Sequence, residues 1–264
     1  MIEITTHQKA QDVARLGFCY VCGQDFSDDR KRTSDHVPPK SIFRSEDRDW
    51  PLILPAHEKC NSDYSKVDEQ AMGLIGLLHP ERPRQVPART TIVGIAERDG
   101  RPAAVLLAGL KLRPMITKIF RACHTALYRV FMPLKTKNLI LTPLLELDPK
   151  TRQPIPHTLL PQHQMACKIL KDNRRIGNVD RVHANNRRFR FEVVWGTCDD
   201  GWRHFAAFAI DIYNWHLLGN RAIGHPQGCI GMHFSNDPIP PNASVVPTIE
   251  LPFTWSEPLN PFEE

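Results

Sequence analysis

Residues 19–61 contain the pattern that most limits how this chain can fold. Cys19 and Cys22 form a Cys-x-x-Cys knuckle, and His57 and Cys60 form a second knuckle later in the sequence. A short knuckle lets two side chains reach one ion, and two knuckles supply the four ligands that tetrahedral zinc requires. Three cysteines and one histidine are an accepted ligand set for structural zinc. The sequence therefore predicts a zinc ion bound by these four residues.

Disulfide bonds are the competing explanation for closely spaced cysteines. The first ten residues, MIEITTHQKA, include an acidic residue and no apolar core, so we expect no secretory leader and a cytoplasmic location where thiols stay reduced. The other four cysteines are isolated in the sequence, and we expect them to be free thiols: Cys123, Cys167, Cys198 and Cys229.

Between the knuckles, residues 34–40 read Ser-Asp-His-Val-Pro-Pro-Lys. An imidazole that titrates near neutrality can take a proton from water, and we assign this general-base role to His36. A carboxylate and an amide oxygen suit a hard cation such as Mg²⁺ or Mn²⁺, so Asp35 and Asn61 are the candidate ligands of a second, catalytic ion. Lys40 is a candidate contact for phosphate. The pattern is typical of a site that hydrolyses phosphodiester bonds.

This stretch resembles the HNH endonucleases, whose catalytic core is a ββα-metal fold. The resemblance is to a bacterial branch with Asp-His-x-Pro-Pro-Lys after the first knuckle, Cys-Asn at residues 60–61 and Ser-x-x-Asp-Glu at residues 65–69, and it covers roughly residues 15–80. It implies that His36 activates water, that Asp35 and Asn61 hold the catalytic ion, and that zinc stabilises the module. We expect DNA as the substrate, although the sequence leaves RNA open as the alternative, and the resemblance implies 5′-phosphate and 3′-hydroxyl ends as products.

Two positions depart from the family pattern. The family usually has cysteine where His57 stands, and imidazole is an equally good zinc donor. The family's middle asparagine, which braces the loop carrying the base, would fall near Trp50, but no Asn or His occurs between His36 and His57. Either Asp49 or another group takes over the bracing, or the activity is reduced. This gap leaves an alternative function open, namely a catalytically inactive, zinc-organised adaptor that binds nucleic acid or protein.

We predict an α+β protein in four parts. Residues 1–80 form the ββα-metal nuclease module, and the Pro- and Arg-rich residues 81–90 form a linker. Residues 91–236 form a separate antiparallel α+β domain, because two hairpin signals flank an amphipathic helix expected over Met115–Met132. Residues 237–264 hold seven prolines and are expected to form an extended arm.

Charge is divided unevenly along the chain. The net charge is +5; residues 1–80 carry 10 basic and 13 acidic side chains (−3), which leaves 34−10=24 basic and 29−13=16 acidic for the rest (+8). A basic second domain suits a polyanion, so we expect it to bind DNA, or a partner that presents DNA. The candidate phosphate contacts in its basic cluster are Arg174, Arg175, Arg187 and Arg188.

The second domain has no evident role in cutting, which suggests that it regulates the nuclease activity. By family habit, we expect an effector of bacterial antiviral defence whose activity stays latent until a regulatory protein subunit, or a second copy of the chain, engages this domain. The longest apolar run, residues 103–110, is far shorter than the ~20 residues that cross a bilayer, so a membrane role is not expected.

Overall fold

The structure is a computed structural model that describes residues 1–69, 91–98, 101–108, 112–132, 137–141, 161–198, 204–213 and 229–248. The structural statements below concern these residues. The predicted linker at residues 81–90 and most of the predicted C-terminal arm, residues 249–264, lie outside them.

A six-stranded sheet forms the centre of the protein. Its strands are β1 (Glu3–Ile4), β6 (Lys137–Leu141), β7 (Asp180–Ala184), β8 (Phe189–Thr197), β9 (His204–Ile212) and β10 (Cys229–Ser235). They lie in the order β1-β7-β8-β9-β10-β6. All neighbours pair antiparallel except β1, which pairs parallel with β7. The fold is therefore mixed α+β, and its main sheet is mixed where the sequence predicted an antiparallel one.

Two further pairs of strands lie outside the main sheet. Strands β2 (Arg32–His36) and β3 (Ile53–His57) pair antiparallel, and so do β4 (Thr91–Arg98) and β5 (Arg101–Ala108). The second pair is the hairpin that the Asp-Gly dipeptide at residues 99–100 predicts.

The helices that accompany the strands include α1 (His7–Val13), α2 (Glu58–Asp63), α3 (Leu112–Tyr128) and α4 (Pro161–Arg175). Residues 65–69 are helical as well. Helix α3 is the predicted amphipathic helix, but it ends earlier than expected. Arg129 has a left-handed φ of 59°, and its N–H bonds to the Thr125 carbonyl at 2.9 Å, which closes the last turn. None of the described helices combines the length and the apolarity that a bilayer crossing demands.

The two faces of the main sheet are covered by different elements. On β9, Phe208 and Ile210 belong to one buried cluster together with Phe120 of α3. The intervening Ala209 belongs to a second cluster, together with Phe205 on the same strand and Leu170 of α4. Because successive strand side chains point to opposite faces, α3 covers one face of the sheet and α4 the other.

The first cluster contains residues from both the predicted nuclease module and the predicted second domain. It contains Leu54 from β3 and Phe43 from the loop before it, together with Phe120 and strand residues such as Phe191. Strand β1 is itself part of the main sheet. The predicted nuclease module and the predicted second domain therefore share one hydrophobic core, and the boundary between them stays a prediction.

Asp180, at the start of β7, ties several of these elements together. Its carboxylate is fully buried and accepts hydrogen bonds from the Tyr128 hydroxyl at 2.8 Å, and from the Ser244 N–H at 2.7 Å and hydroxyl at 2.8 Å. It also accepts from the N–H of Ile2, next to β1. One carboxylate thus fixes the N-terminal strand, the end of α3 and the segment around residue 244.

We predict that Asp180→Ala destabilises the protein by about 3–5 kcal/mol, because it leaves several buried donors without an acceptor. Urea unfolding followed by circular dichroism measures the change. Asp172→Ala is the matched control, since Asp172 pairs with Lys168 on the exposed side of α4 at 3.0 Å. Equal midpoint shifts for the two variants would contradict the role given to Asp180.

Candidate metal centre and adjoining acid–base site

The four predicted zinc ligands converge in the structure. The ligand atoms of Cys19, Cys22, His57 and Cys60 all lie within 4.8 Å of one another. His57 ends β3 and Cys60 lies in the first turn of α2, so the strand-to-helix junction brings the second knuckle together. The group can hold a metal ion such as zinc.

Local backbone geometry shapes the first knuckle. The N–H of Gly23 donates to the Cys19 carbonyl at 2.8 Å, and the N–H of Cys19 donates to the Gln24 carbonyl at 2.9 Å. Gly23 has a φ of +76°, which glycine adopts without the steric cost of a side chain. This tight turn directs both thiols of the knuckle toward His57.

Hydrogen bonds to His57 set which ring nitrogen faces the thiols. Nε2 lies 3.2 Å from the Asp25 carbonyl and can donate to it, which leaves Nδ1 as the free donor atom for an ion. Nδ1 lies 3.3 Å from Cys22 Sγ and 3.9 Å from Cys60 Sγ. The backbone N–H of His57 donates to Cys19 Sγ at 3.3 Å. A ring nitrogen that faces two thiols, and hydrogen bonds that hold the ring and a thiol in place, are what a zinc ligand set requires.

The chemistry of the thiols also fits a cation. Burial, together with the neighbouring thiols of Cys19 and Cys22, raises the pKa of Cys60 to about 12. Thiolates packed this closely are unfavourable without a positive charge among them, and a bound zinc supplies that charge.

Asp35 is buried near this cluster and is heavily hydrogen-bonded. Its Oδ2 accepts from the Tyr20 hydroxyl at 2.6 Å and lies 3.0 Å from Nζ of Lys118 on α3. With the Asn61 amide nitrogen turned toward Asp35, Nδ2 lies 3.3 Å from Oδ2 and 3.2 Å from Oδ1. The structure thus brings together the two residues that the sequence predicts as ligands of a divalent ion.

The backbone sets the positions of these two side chains. Asn61 follows Cys60 on α2, and Asp35 lies on β2 opposite Leu54 of β3, so the hairpin and helix set their separation. Rotation of the amide by 180° would present an oxygen to Asp35 Oδ1, and a pair of oxygens is what Mg²⁺ or Mn²⁺ prefers. The role of Asp35 and Asn61 as ion ligands stays a prediction.

His36 ends β2, one residue after Asp35. Its imidazole is half-buried, and burial, with a smaller contribution from the charge of Lys40, lowers its pKa below the usual value while Asp35 opposes the shift. Across the described parts of the chain, no residue hydrogen-bonds this ring. A neutral, unbonded imidazole suits a general base. Lys40 is exposed nearby, where a phosphate can reach it.

The loop between His36 and β3 is braced by residues that the sequence did not reveal. Buried Asp47 accepts hydrogen bonds from the Tyr213 hydroxyl at 2.9 Å and from Arg188 Nε at 3.2 Å. The same Tyr213 oxygen accepts from the N–H of Arg44 at 2.9 Å. Asp49, the substitute suggested from sequence, is exposed, and its backbone carbonyl accepts from Asn186 at 2.9 Å. Asp47 therefore ties this loop to the turn after β7 and to the end of β9.

The four predicted phosphate-binding arginines differ in their surroundings. Arg174 pairs with Glu192, and Arg188 pairs with Asp47, so both have structural partners. Arg175 and Arg187 are exposed. A role in nucleic-acid binding stays a prediction for all four.

Sequence reasoning missed Lys118 and Tyr20, which complete the surroundings of Asp35. Lys118 lies three residues after Met115 and four before Ala122, both buried, so helical spacing places it on the apolar face of α3. A lysine on the apolar face of a helix was therefore the sequence signal that could have identified Lys118. For Tyr20 the sequence offered no signal beyond its position inside the first knuckle.

Comparison with models of known protein families finds no match, and comparisons with curated proteins and with solved structures find none either.

We predict that the purified protein holds about one zinc per chain through the two knuckles. Cys22→Ser should remove most of this zinc and lower the thermal midpoint, whereas His57→Cys should keep it, because four thiolates also bind zinc tetrahedrally. Metal analysis by mass spectrometry measures the content. Cys167→Ser, which alters an isolated thiol of α4, is the control and should change nothing. Full zinc occupancy in Cys22→Ser would contradict the assignment.

We predict that Asp47→Asn loosens the loop before β3, whereas Asp49→Asn does not. Loss of the carboxylate weakens the bonds from Tyr213 and Arg188, and we expect a stability loss of about 1–3 kcal/mol. Hydrogen exchange provides the local readout, since the Arg44 amide should exchange faster in Asp47→Asn. Unchanged exchange at Arg44 would show that Asp47 does not brace the loop.

Proposed function

We propose that this chain is a metal-dependent endonuclease of the HNH type that hydrolyses phosphodiester bonds in DNA. The observation that carries the proposal is the juxtaposition of Asp35 on β2 and Asn61 on α2, with the Asn61 amide nitrogen 3.2 Å from Asp35 Oδ1. A Cys₃His cluster joins β3, the partner strand of β2, to the same helix. Strands β2 and β3 followed directly by α2 give the order of elements of a ββα-metal module. The motif resemblance supplies the choice of DNA.

In the proposed reaction, His36 takes a proton from the attacking water through its neutral imidazole. Asp35 and Asn61 would hold a divalent ion, whose positive charge would offset the negative charge on the phosphate and on the departing 3′ oxygen. Tyr20 and Lys118 hold the Asp35 carboxylate in a fixed orientation. Lys40 is exposed beside the base and would contact the phosphate backbone.

The zinc cluster has a structural role in this proposal. Four protein ligands close the coordination sphere, so no position is left for water or substrate. The cluster holds the end of β3 and the start of α2 together, and Asn61 lies one residue beyond its last ligand.

A second candidate function is an adaptor that binds nucleic acid or protein without cutting it. One contact favours it: Lys118, a cation supplied by the protein, already pairs with the carboxylate that the nuclease requires for its ion. Control of the nuclease by a partner subunit, or by a second copy of the chain, is part of the first proposal.

We predict that the zinc-loaded protein nicks supercoiled plasmid in the presence of Mg²⁺ or Mn²⁺, and that His36→Ala lowers the rate at least about a hundredfold. Gel quantification of nicked product measures the rate. His7→Ala removes an exposed histidine of α1 and should retain full activity. Zinc content should be the same in all three proteins.

The adaptor function predicts a different result. Wild type and His36→Ala would then be equally inactive, while gel-shift experiments would still show both proteins binding DNA.

A further inference from the structure

We propose that Lys118 is a built-in cation that withholds a second carboxylate, Asp68, from the candidate ion site and thereby keeps its affinity for divalent ions low. The inference rests on the proposed function, because it concerns the same ion site. It assigns to α3, which lies in the predicted second domain, a direct influence on the nuclease module.

The Lys118 ammonium lies between two carboxylates. Nζ is 3.0 Å from Oδ2 of Asp35 and 2.8 Å from Oδ2 of Asp68, and the lysine side chain is 1% exposed. It also lies over the Tyr64 ring, 5.3 Å from the centroid. A buried ammonium requires such partners, because it has lost its contacts with water. The lysine is therefore held at this position by charge, hydrogen bonds and an aromatic ring.

The oxygens of the two carboxylates are unequally occupied. The Asn61 amide faces both oxygens of Asp35, and Oδ2 has the Tyr20 hydroxyl and the Lys118 ammonium as further partners. On Asp68, Oδ2 binds the ammonium, and Oδ1 is buried with no hydrogen-bond partner in the described parts of the chain. Asp35 can therefore offer Oδ1 to an ion, while Asp68 is turned to the lysine.

The charges determine the consequence for ion binding. Two carboxylates alone would carry −2, and the ammonium reduces this to −1 immediately beside the site. The repulsion between an ammonium and a divalent ion a few ångströms apart in a partly buried site is strong. Lys118 should therefore lower the affinity in two ways, by direct repulsion and by occupying Asp68.

The experiment measures Mn²⁺ binding to zinc-loaded protein by electron paramagnetic resonance, without nucleic acid. Lys118→Met keeps the length of the side chain and removes its charge, and we expect Mn²⁺ to bind at least about tenfold tighter. Lys59→Met is the matched control: it removes the same charge from an exposed pair with Asp63 and should leave affinity within about twofold.

Asp68 provides the second arm of the experiment. In Lys118→Met, addition of Asp68→Asn should reverse most of the gain, because the freed carboxylate is removed again. Asp68→Asn alone should stay within about threefold of wild type, because Lys118 already occupies that carboxylate. This single variant keeps its lysine paired with Asp35, so it tests whether Asp68 is withheld from the ion even where Lys118→Met does not fold.

Two results would overturn the inference. Affinity in a folded Lys118→Met protein that is unchanged or weaker would show that the ammonium does not oppose the ion. A tenfold or greater loss in Asp68→Asn would make Asp68 a direct ligand. A separate variant tests the proposed function itself. If Asp35 is not an ion ligand, Asp35→Asn will leave Mn²⁺ binding unchanged.

Discussion

The buried carboxylate of Asp35 is the constraint on which the site and much of the packing depend. A carboxylate that is only 5% exposed is costly unless charges and donors surround it. Its partners come from distant parts of the chain: Tyr20 from the first knuckle, Asn61 from α2 and Lys118 from α3. Satisfying one acid thus requires the knuckles, the β2–β3 pair and α3 to be in place together.

The Cys₃His cluster and this acid are mechanically linked. Tyr20 lies between the two cysteines of the first knuckle, its N–H donates to the Pro55 carbonyl of β3 at 3.1 Å, and its hydroxyl bonds Asp35. Disruption of the cluster would therefore release a donor to Asp35 as well as the start of α2. Val21 in the same knuckle accepts a hydrogen bond from buried Arg121, which adds a second connection to α3.

Sequence reasoning succeeded where the signal is local. Knuckle spacing identified the four cluster residues, and the Asp-Gly dipeptide identified the β4–β5 hairpin. The β7–β8 hairpin was missed, although Asn185 and Asn186, both with positive φ, are residues that tolerate such a turn. The apolar spacing of α3 identified the helix but not its end, because the left-handed turn at Arg129 interrupts a pattern that continues in the sequence.

Long-range contacts were beyond the reach of such patterns. Asp47 meets Tyr213 and Arg188, and Lys118 meets Asp35, across separations that no local periodicity records. The same limit affected the basic cluster, where Arg174 and Arg188 look alike as unpaired charges in sequence but have acidic partners in the structure. Charge counts along a sequence cannot distinguish a cation that faces solvent from one that closes a tertiary contact.

The position of these contacts bears on how the proposed nuclease could be controlled. Lys118 reaches the candidate ion site from α3, and Tyr213 with Arg188 holds the loop after His36 from the ends of β9 and the β7–β8 turn. Both the acid and the base are therefore supported by elements of the main sheet and its helix. A molecule that shifted the sheet against the β2–β3 pair would change ion affinity and the placement of the base together, without touching either residue. Control through the second part of the chain would then need no blocking segment, because the support of the site is itself the point of control.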